Sequence, residues 1–221
     1  MMATVLSPTD QRVIITGVSW QTYERLLADF GDSHAARMAF DQGTLEIMAA
    51  SFAHERPLHL LIQIVEIVAE VRDLDMVSAG STTFKREDLG RGFEPDASFY
   101  IQHAGDVRGR EEIDLASDVP PDLVIEIDIT HPSLDKLPIY AALGIPEVWR
   151  YAEQSSTIYR LQANGYAVED SSTVLPGVTS HQLTQLVAMG YDLPRPRWIR
   201  HVRAWAEGLP RNPAGEPGNV S

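Results

Sequence analysis

The chain has 221 residues, of which 44% are hydrophobic and 22% charged, a composition that suits one soluble domain with its own core. It contains no cysteine, which excludes disulfides, thiolate metal sites and cysteine nucleophiles. Its formal charge of -13 argues against an unaided, broad grip on nucleic acid, because such binding depends on Lys and Arg displacing counterions from phosphates. No apolar run approaches the length of a membrane span, and "MMATVLSPTDQR" lacks a positive segment followed by an apolar one. A cytoplasmic protein with no membrane partner is therefore expected.

Residues 1–11 read as a loose leader. "SWQTYERLLADF" follows as a helix, with Ser19 as N-cap and Tyr23, Leu26, Leu27 and Phe30 at helical spacing. "ARMAFDQGTLEIM" reads as a hairpin turning at Asp41-Gln42-Gly43. The longest periodic segment starts near Ser51, where Leu58, Leu61, Ile62, Val65, Val68 and Ala69 trace one apolar stripe. Pro57 is tolerable there only because it falls in the first turns.

Short strands are predicted in "MVSAG" and "TTFKR", then a Gly-rich connection "EDLGRGFE" into the strand "PDASFYI". A polar loop over 102–120 leads to a second strand, "PDLVIEIDIT". "SLDKLPIYAALG" is a helix ended by Gly144, and "PEVWRY", "STIYRL" and "GYAVED" are strands. Trp149 and Tyr151 are expected to pack the sheet. Helices near 180–188 and 195–207 close the chain; residues 209–221, rich in Gly, Pro and Asn, read as a flexible tail. Trp198, Val202 and Trp205 share one helical face, a docking surface and a candidate homodimer seam. Residues 195–211 hold five Arg against one Glu, so charge is segregated along the chain. The element order predicts an α/β (α+β) domain with a mixed central sheet flanked by helices.

Alternation on the second strand puts Leu123, Ile125, Ile127 and Ile129 on one face and Val124, Glu126, Asp128 and Thr130 on the other. The strand before it repeats the pattern, with Asp96, Ser98 and Tyr100 alternating against Ala97, Phe99 and Ile101. If the two strands are neighbours, Asp96, Glu126 and Asp128 converge. Clustered carboxylates resist ionising unless a cation sits among them, and oxygen donors without cysteine favour Mg²⁺ or Mn²⁺. Such an ion suits phosphodiester hydrolysis, to which Lys136 would add positive charge near the attacking water or the phosphate.

Each residue also has a structural reading. Asp96 after Pro95 can be a strand-start acid, and Asp128 can hydrogen-bond the following turn. Lys136 can be a solvent-exposed helix residue. Glu126, in the middle of "LVIEIDI", is costly to bury unless paired or metal-bound. Asp122 is assigned to structure.

"FEPDASFYI" and "PPDLVIEIDITHPSLDKLPIYAALGIPEVWRY", with "FDQGTLEIM" and "SFAHE" before them, resemble the Uma-two family of restriction-endonuclease-like proteins in the PD-(D/E)XK nuclease superfamily, over about residues 19–190. The resemblance implies a restriction-endonuclease-like domain over 12–192, with 193–208 as an added basic amphipathic helix. It implies a four-stranded mixed β core and divalent-metal-dependent cleavage of DNA. By position, Asp96 matches the superfamily's first acid and Glu126 its second. Asp128 stands where the superfamily lysine is usual, which leaves Lys136 as the match in role. The resemblance further implies Glu46 as a third member of the metal shell with Asp96 and Glu126, and a recurring histidine at His54.

Two function classes remain open on the sequence. One is a metal-dependent endonuclease in which Asp96, Glu126, Asp128 and Lys136 carry the chemistry, or a metal phosphoesterase using the same residues on RNA or nucleotides. The other is a catalytically silent nuclease-like module for protein association or dimerisation, which the acidic charge and the absent usual lysine favour.

Overall fold

The computed structural model describes residues 10–31, 36–129 and 134–210. Most of the expected loose ends, and Thr130, lie outside these. Of the described end residues, Gln11 opens a strand and Leu209 is buried in the core.

The first strand, β1 (Gln11–Thr16), is not among the elements expected from sequence, because "QRVIIT" shows no clean alternation of apolar and polar residues. It is a sheet edge, and Val13, Ile14 and Ile15 stay exposed. Helix α1 (Trp20–Phe30) is capped as expected, with the Ser19 hydroxyl accepting from the Thr22 amide. β2 (Arg37–Asp41) and β3 (Thr44–Ala49) form the predicted hairpin, and Gln42 and Gly43 both take positive φ at its turn. The long helix α2 (Phe52–Val71) starts after Ser51, whose side chain accepts from the His54 amide.

The next segments are shorter than predicted: β4 (Val77–Ser78) and β5 (Phe84–Arg86). The Gly-rich connection holds a strand of its own, β6 (Arg91–Phe93). A Cβ at Gly92 would stand 2.5 Å from the buried Tyr23 hydroxyl, so this strand requires glycine where α1 presses on it. After β7 (Ala97–Tyr100) comes a one-turn helix, α3 (Ala104–Val107), in the polar loop, and then β8 (Leu123–Asp128). Helix α4 (Leu137–Ala142) stops at Leu143 and Gly144, which has φ +77. β9 (Glu147–Ala152), β10 (Ser155–Gln162) and β11 (Gly165–Glu169) precede α5 (Ser180–Asp192) and α6 (Arg195–Glu207).

These strands make two sheets. The mixed sheet runs β11-β10-β9-β8-β7-β4, with β8 and β9 parallel and its other pairs antiparallel. It is wider than the four-stranded core implied by the family resemblance. An antiparallel sheet, β1-β3-β2-β6-β5, stands beside it.

The alternation predicted on β8 decides what packs where. Leu123, Ile125 and Ile127 join Trp149, Tyr151 and Phe99 under α2, α5 and α6 in the largest core cluster. Val124 and Val148 face the other way, onto Ile139, Tyr140, Phe84 and Phe93. Fully burying side chains of this size contributes about 1.5–3 kcal/mol each. Trp198 and Val202 of α6 are built into the first cluster, and the Trp198 indole donates to the Leu186 carbonyl at 2.8 Å. The face proposed as a homodimer seam is therefore spent on this chain's own core. Asp122 is structural as expected: its Oδ2 accepts from the amides of Ile101 and His103. Among the described residues no helix is long and apolar enough to cross a membrane.

Candidate active site

Antiparallel pairing of β7 with β8 sets Ala97 against Ile125, so Asp96, just before β7, reaches the strand beside Glu126. Asp96 Oδ2 accepts from the Ile127 amide at 2.7 Å and from His54 Nε2 at 3.0 Å. Its Oδ1 makes no hydrogen bond, although Arg37 Nε lies 3.2 Å away as an ion pair. Burial pushes the Asp96 carboxyl up, but His54, then Lys136 and Arg37, outweigh it and hold it below the usual carboxylate range. Burial likewise pulls His54 down, and the bond to Asp96 reverses this and raises it. Both thus favour an imidazolium–carboxylate pair.

Glu126 is 6% exposed on the α4-facing side of β8. Lys136 Nζ donates to its Oε2 at 2.8 Å, and the Tyr140 hydroxyl donates to its Oε1. Lys136 and Tyr140 lie four residues apart at the start of α4, hence on one helix face. Burial raises the Glu126 carboxyl above its ordinary value despite Lys136, and the nearby Asp96 adds to the rise. The Lys136 ammonium loses from burial but gains more from Glu126 and Asp96, so it stays charged, with Glu46 contributing. Two buried acids thus split in opposite directions, the pattern of groups whose environments assign them different roles.

The remaining expected residues stand around this centre. Glu46, on β3, is buried, and Arg12 Nη1 lies 3.7 Å from its Oε1. Asp128 does not reach the Asp96–Glu126 pair through a shared partner. It accepts instead from Arg150 Nε at 2.6 Å and Arg12 Nη2 at 3.3 Å. Asp96, Glu126, Lys136 and His54 are linked by hydrogen bonds or by charge; Asp128 belongs to an adjoining arginine cluster. A recess of about 30 Å³ joins the two, walled by Arg12, Glu126, Asp128, Lys136, Tyr140 and Arg150. A groove of about 780 Å³ opens on the far side of Asp128, with Phe52, Arg56, Tyr151 and Tyr191 in its wall.

The donor chemistry fits a hard divalent cation in part. Asp96 and Glu126 supply buried carboxylate oxygens, and Asp96 Oδ1 lacks a hydrogen bond. Glu126 Oε2, however, is committed to Lys136, and among the described residues no group of three or more His, Asp or Glu side chains is arranged to hold a metal ion. The three-acid shell of Asp96, Glu126 and Glu46 is therefore not preassembled. The chain itself provides the cations that the sequence argument asked of a metal.

Four site residues escaped the sequence reading: Arg12, Arg37, Tyr140 and Arg150. Arg150 had a readable signal, since an arginine inside the otherwise apolar strand "VWRYA" needs an acid beside it. Tyr140 stood at helical spacing from Lys136. Arg12 and Arg37 had none, because the acids that bring them to the site are distant in the chain: Arg12 and Asp128 are 116 residues apart, and Arg37 meets Asp96.

No curated protein matches the chain. Among solved structures it is similar to one described as a "putative nuclease belonging to DUF820 from Anabaena variabilis ATCC 29413", with 17% identity over 87% of this chain and 99% of that one and a TM-score of 0.49. The family match, rather than this likeness, carries the assignment. Matched from residue 20 to residue 194 by the Uma2 family model, "Putative restriction endonuclease", the chain belongs to that family of nucleases.

Proposed function

We propose that the chain is a cytoplasmic endonuclease that hydrolyses DNA phosphodiester bonds with Mg²⁺ or Mn²⁺, its catalytic unit spanning 12–192 with 193–208 as a docked helix. The observation that carries this reading is the meeting of Asp96, Glu126 and Lys136 at the β7–β8 end, with Lys136 Nζ 2.8 Å from Glu126. Asp96 and Glu126 are the residues that would hold the cation, with Glu46 behind them. When bound, it supplies charge neutralisation at the phosphoryl oxygens and a more acidic water.

The chain's own residues do the rest. His54 fixes the Asp96 carboxylate in its ionised form, and the Ile127 amide holds its orientation. Tyr140 keeps one Glu126 oxygen in place while Lys136 stands at the other. Released from Glu126, the Lys136 ammonium is free to orient a water or meet the phosphate oxygen on which charge develops. The groove beyond Asp128 gives a nucleotide room beside the site.

Purified protein incubated with supercoiled, linear and single-stranded DNA in Mg²⁺ or Mn²⁺ is expected to cut at least one form, and Asp96→Ala and Glu126→Ala to lose the cleavage. Cleavage that survives both changes, or none by the wild type on any form, overturns the proposal. RNA and nucleotide substrates in the same assay separate the phosphoesterase reading.

One observation favours the alternative of a silent module: the acids are already neutralised by Lys136, Arg37 and His54. Calorimetry with Mn²⁺ decides between them. A working site binds the ion in the wild type and loses it in Asp96→Ala and Glu126→Ala, whereas a silent one shows no difference.

A further inference from the structure

The recess beside Glu126 holds three basic side chains, and their surroundings differ. Lys136 is bonded to Glu126 and its side chain is 12% exposed. Arg12, at 9%, meets three acids: Asp128 at 3.3 Å, with Asp10 and Glu46 each at 3.7 Å. It is over-matched in charge and serves to lock edge strand β1 against the mixed sheet. Arg150 is different. Its side chain is 27% exposed, and among the described residues it pairs with Asp128 alone, through Nε at 2.6 Å. Tyr159 also acts on it, through a side-chain hydrogen bond. Of the three, it is the most exposed and has the fewest acids around it, which leaves its guanidinium the most accessible to a ligand from outside.

Position supports the same distinction. The parallel register of β8 and β9 puts Arg150 directly opposite Glu126, so it is the strand neighbour of the acid that Lys136 holds. Asp128 lies between two guanidiniums, with Arg12 on its buried side at 3.3 Å and the more exposed Arg150 at 2.6 Å. Arg150, fixed by Asp128, is thus the guanidinium of this pair nearer the solvent. A guanidinium is a planar fork of five N–H donors, so one held by Asp128 and Tyr159 still has donors to offer to phosphate oxygens. The recess, at about 30 Å³, is too small to enclose a base, and it suits phosphate oxygens at its mouth.

We infer that Arg150 is a phosphate-binding residue of this site, oriented by Asp128 as a positioning residue, and that its ligand is a phosphate group of the substrate backbone next to Lys136. The inference deepens the nuclease reading and rests on it for the identity of that phosphate. Asp128 therefore acts through arginine rather than on the reacting atoms.

The test uses the full chain and two probes. Inorganic phosphate, titrated to about 50 mM at constant ionic strength, is expected to raise the unfolding temperature of the wild type through preferential binding to the folded state. Arg150→Gln should weaken that apparent affinity about tenfold or more, and Arg150→Lys should recover part of it. Asp128→Asn should fall between, because the charge remains but its direction is lost. With a labelled DNA duplex in Ca²⁺, Arg150→Gln should also flatten the plot of log affinity against log salt by about one. An unshifted wild type, or equal phosphate response in wild type and Arg150→Gln, overturns the inference. Wild-type DNA cleavage together with that result leaves the nuclease reading standing. Arg150-dependent phosphate binding without cleavage of any DNA supports the anion site and overturns the nuclease reading instead.

Discussion

Glu126 and Glu147 lie on neighbouring strands of one sheet, both buried, and they teach what separates a structural acid from a reactive one. Glu147, with no exposed surface, accepts from the Trp149 indole at 2.7 Å, the Ser172 hydroxyl at 2.6 Å, and the amide and hydroxyl of Thr173 at 2.7 and 2.8 Å. Every one of these donors is neutral and fixed, so the carboxylate staples the 172–174 loop to β9. Glu126 faces a movable ammonium and a phenol, beside a second acid. Burial is shared; the partners differ. Rigid neutral donors make an acid a rivet, while a cation on a flexible stem leaves it able to exchange partners.

The contrast is open to direct attack. Glu147→Ala strands several buried donors at once and should cost about 3–5 kcal/mol, read from urea unfolding. A loss under about 1 kcal/mol would end the comparison. Glu126→Gln should lower cleavage by about 100-fold or more, equivalent to about 2.7 kcal/mol of barrier, with a smaller stability change than Glu147→Ala.

A weaker effect is expected from pH, measured without metal. The His54 pKa is raised in the fold, so its contribution is complete below its ordinary value of 6.5 and is lost as pH rises through the folded value. Asp96 is lowered, so its contribution is present above its ordinary 3.8 and is lost as pH falls through the folded value. Stability should therefore decline on both sides of an acidic-to-neutral optimum, and His54→Gln should remove the alkaline limb. Smallest of all, Glu70→Ala should leave the urea midpoint unmoved, because the Arg203–Glu70 pair is exposed and screened.

What the sequence made legible was local and periodic. Ser19 and Ser51 cap helices because a short oxygen beside an apolar stripe has that use, and alternation in "LVIEIDI" correctly placed Glu126 opposite the aliphatic face. Lys136 meets Glu126 over the same short range, ten residues. What stayed hidden was long-range. β1 carries no periodic signal, yet it brings Arg12 to Asp128, and Arg37 reaches Asp96 from another sheet. Clustered acids read from sequence call for a metal, since side-chain cations gathered from distant segments are invisible until the chain is folded.

The family match stops at residue 194, one residue before α6, but α6 is no appendage. Trp198, Val202 and Ala206 lie in the same core as Leu61, Ile64 and Val68 of α2. At the far end of α2, Arg72 is tied to the Pro176 and Pro210 carbonyls. Helix α2 is twenty residues long, about 30 Å at 1.5 Å per residue, and its opposite tip carries His54 to Asp96. It is a stiff lever with its handle under the C-terminal segment. A chain cut at residue 194 would keep every matched position, yet strip α2 of its α6 packing and of the Pro210 half of the Arg72 tie.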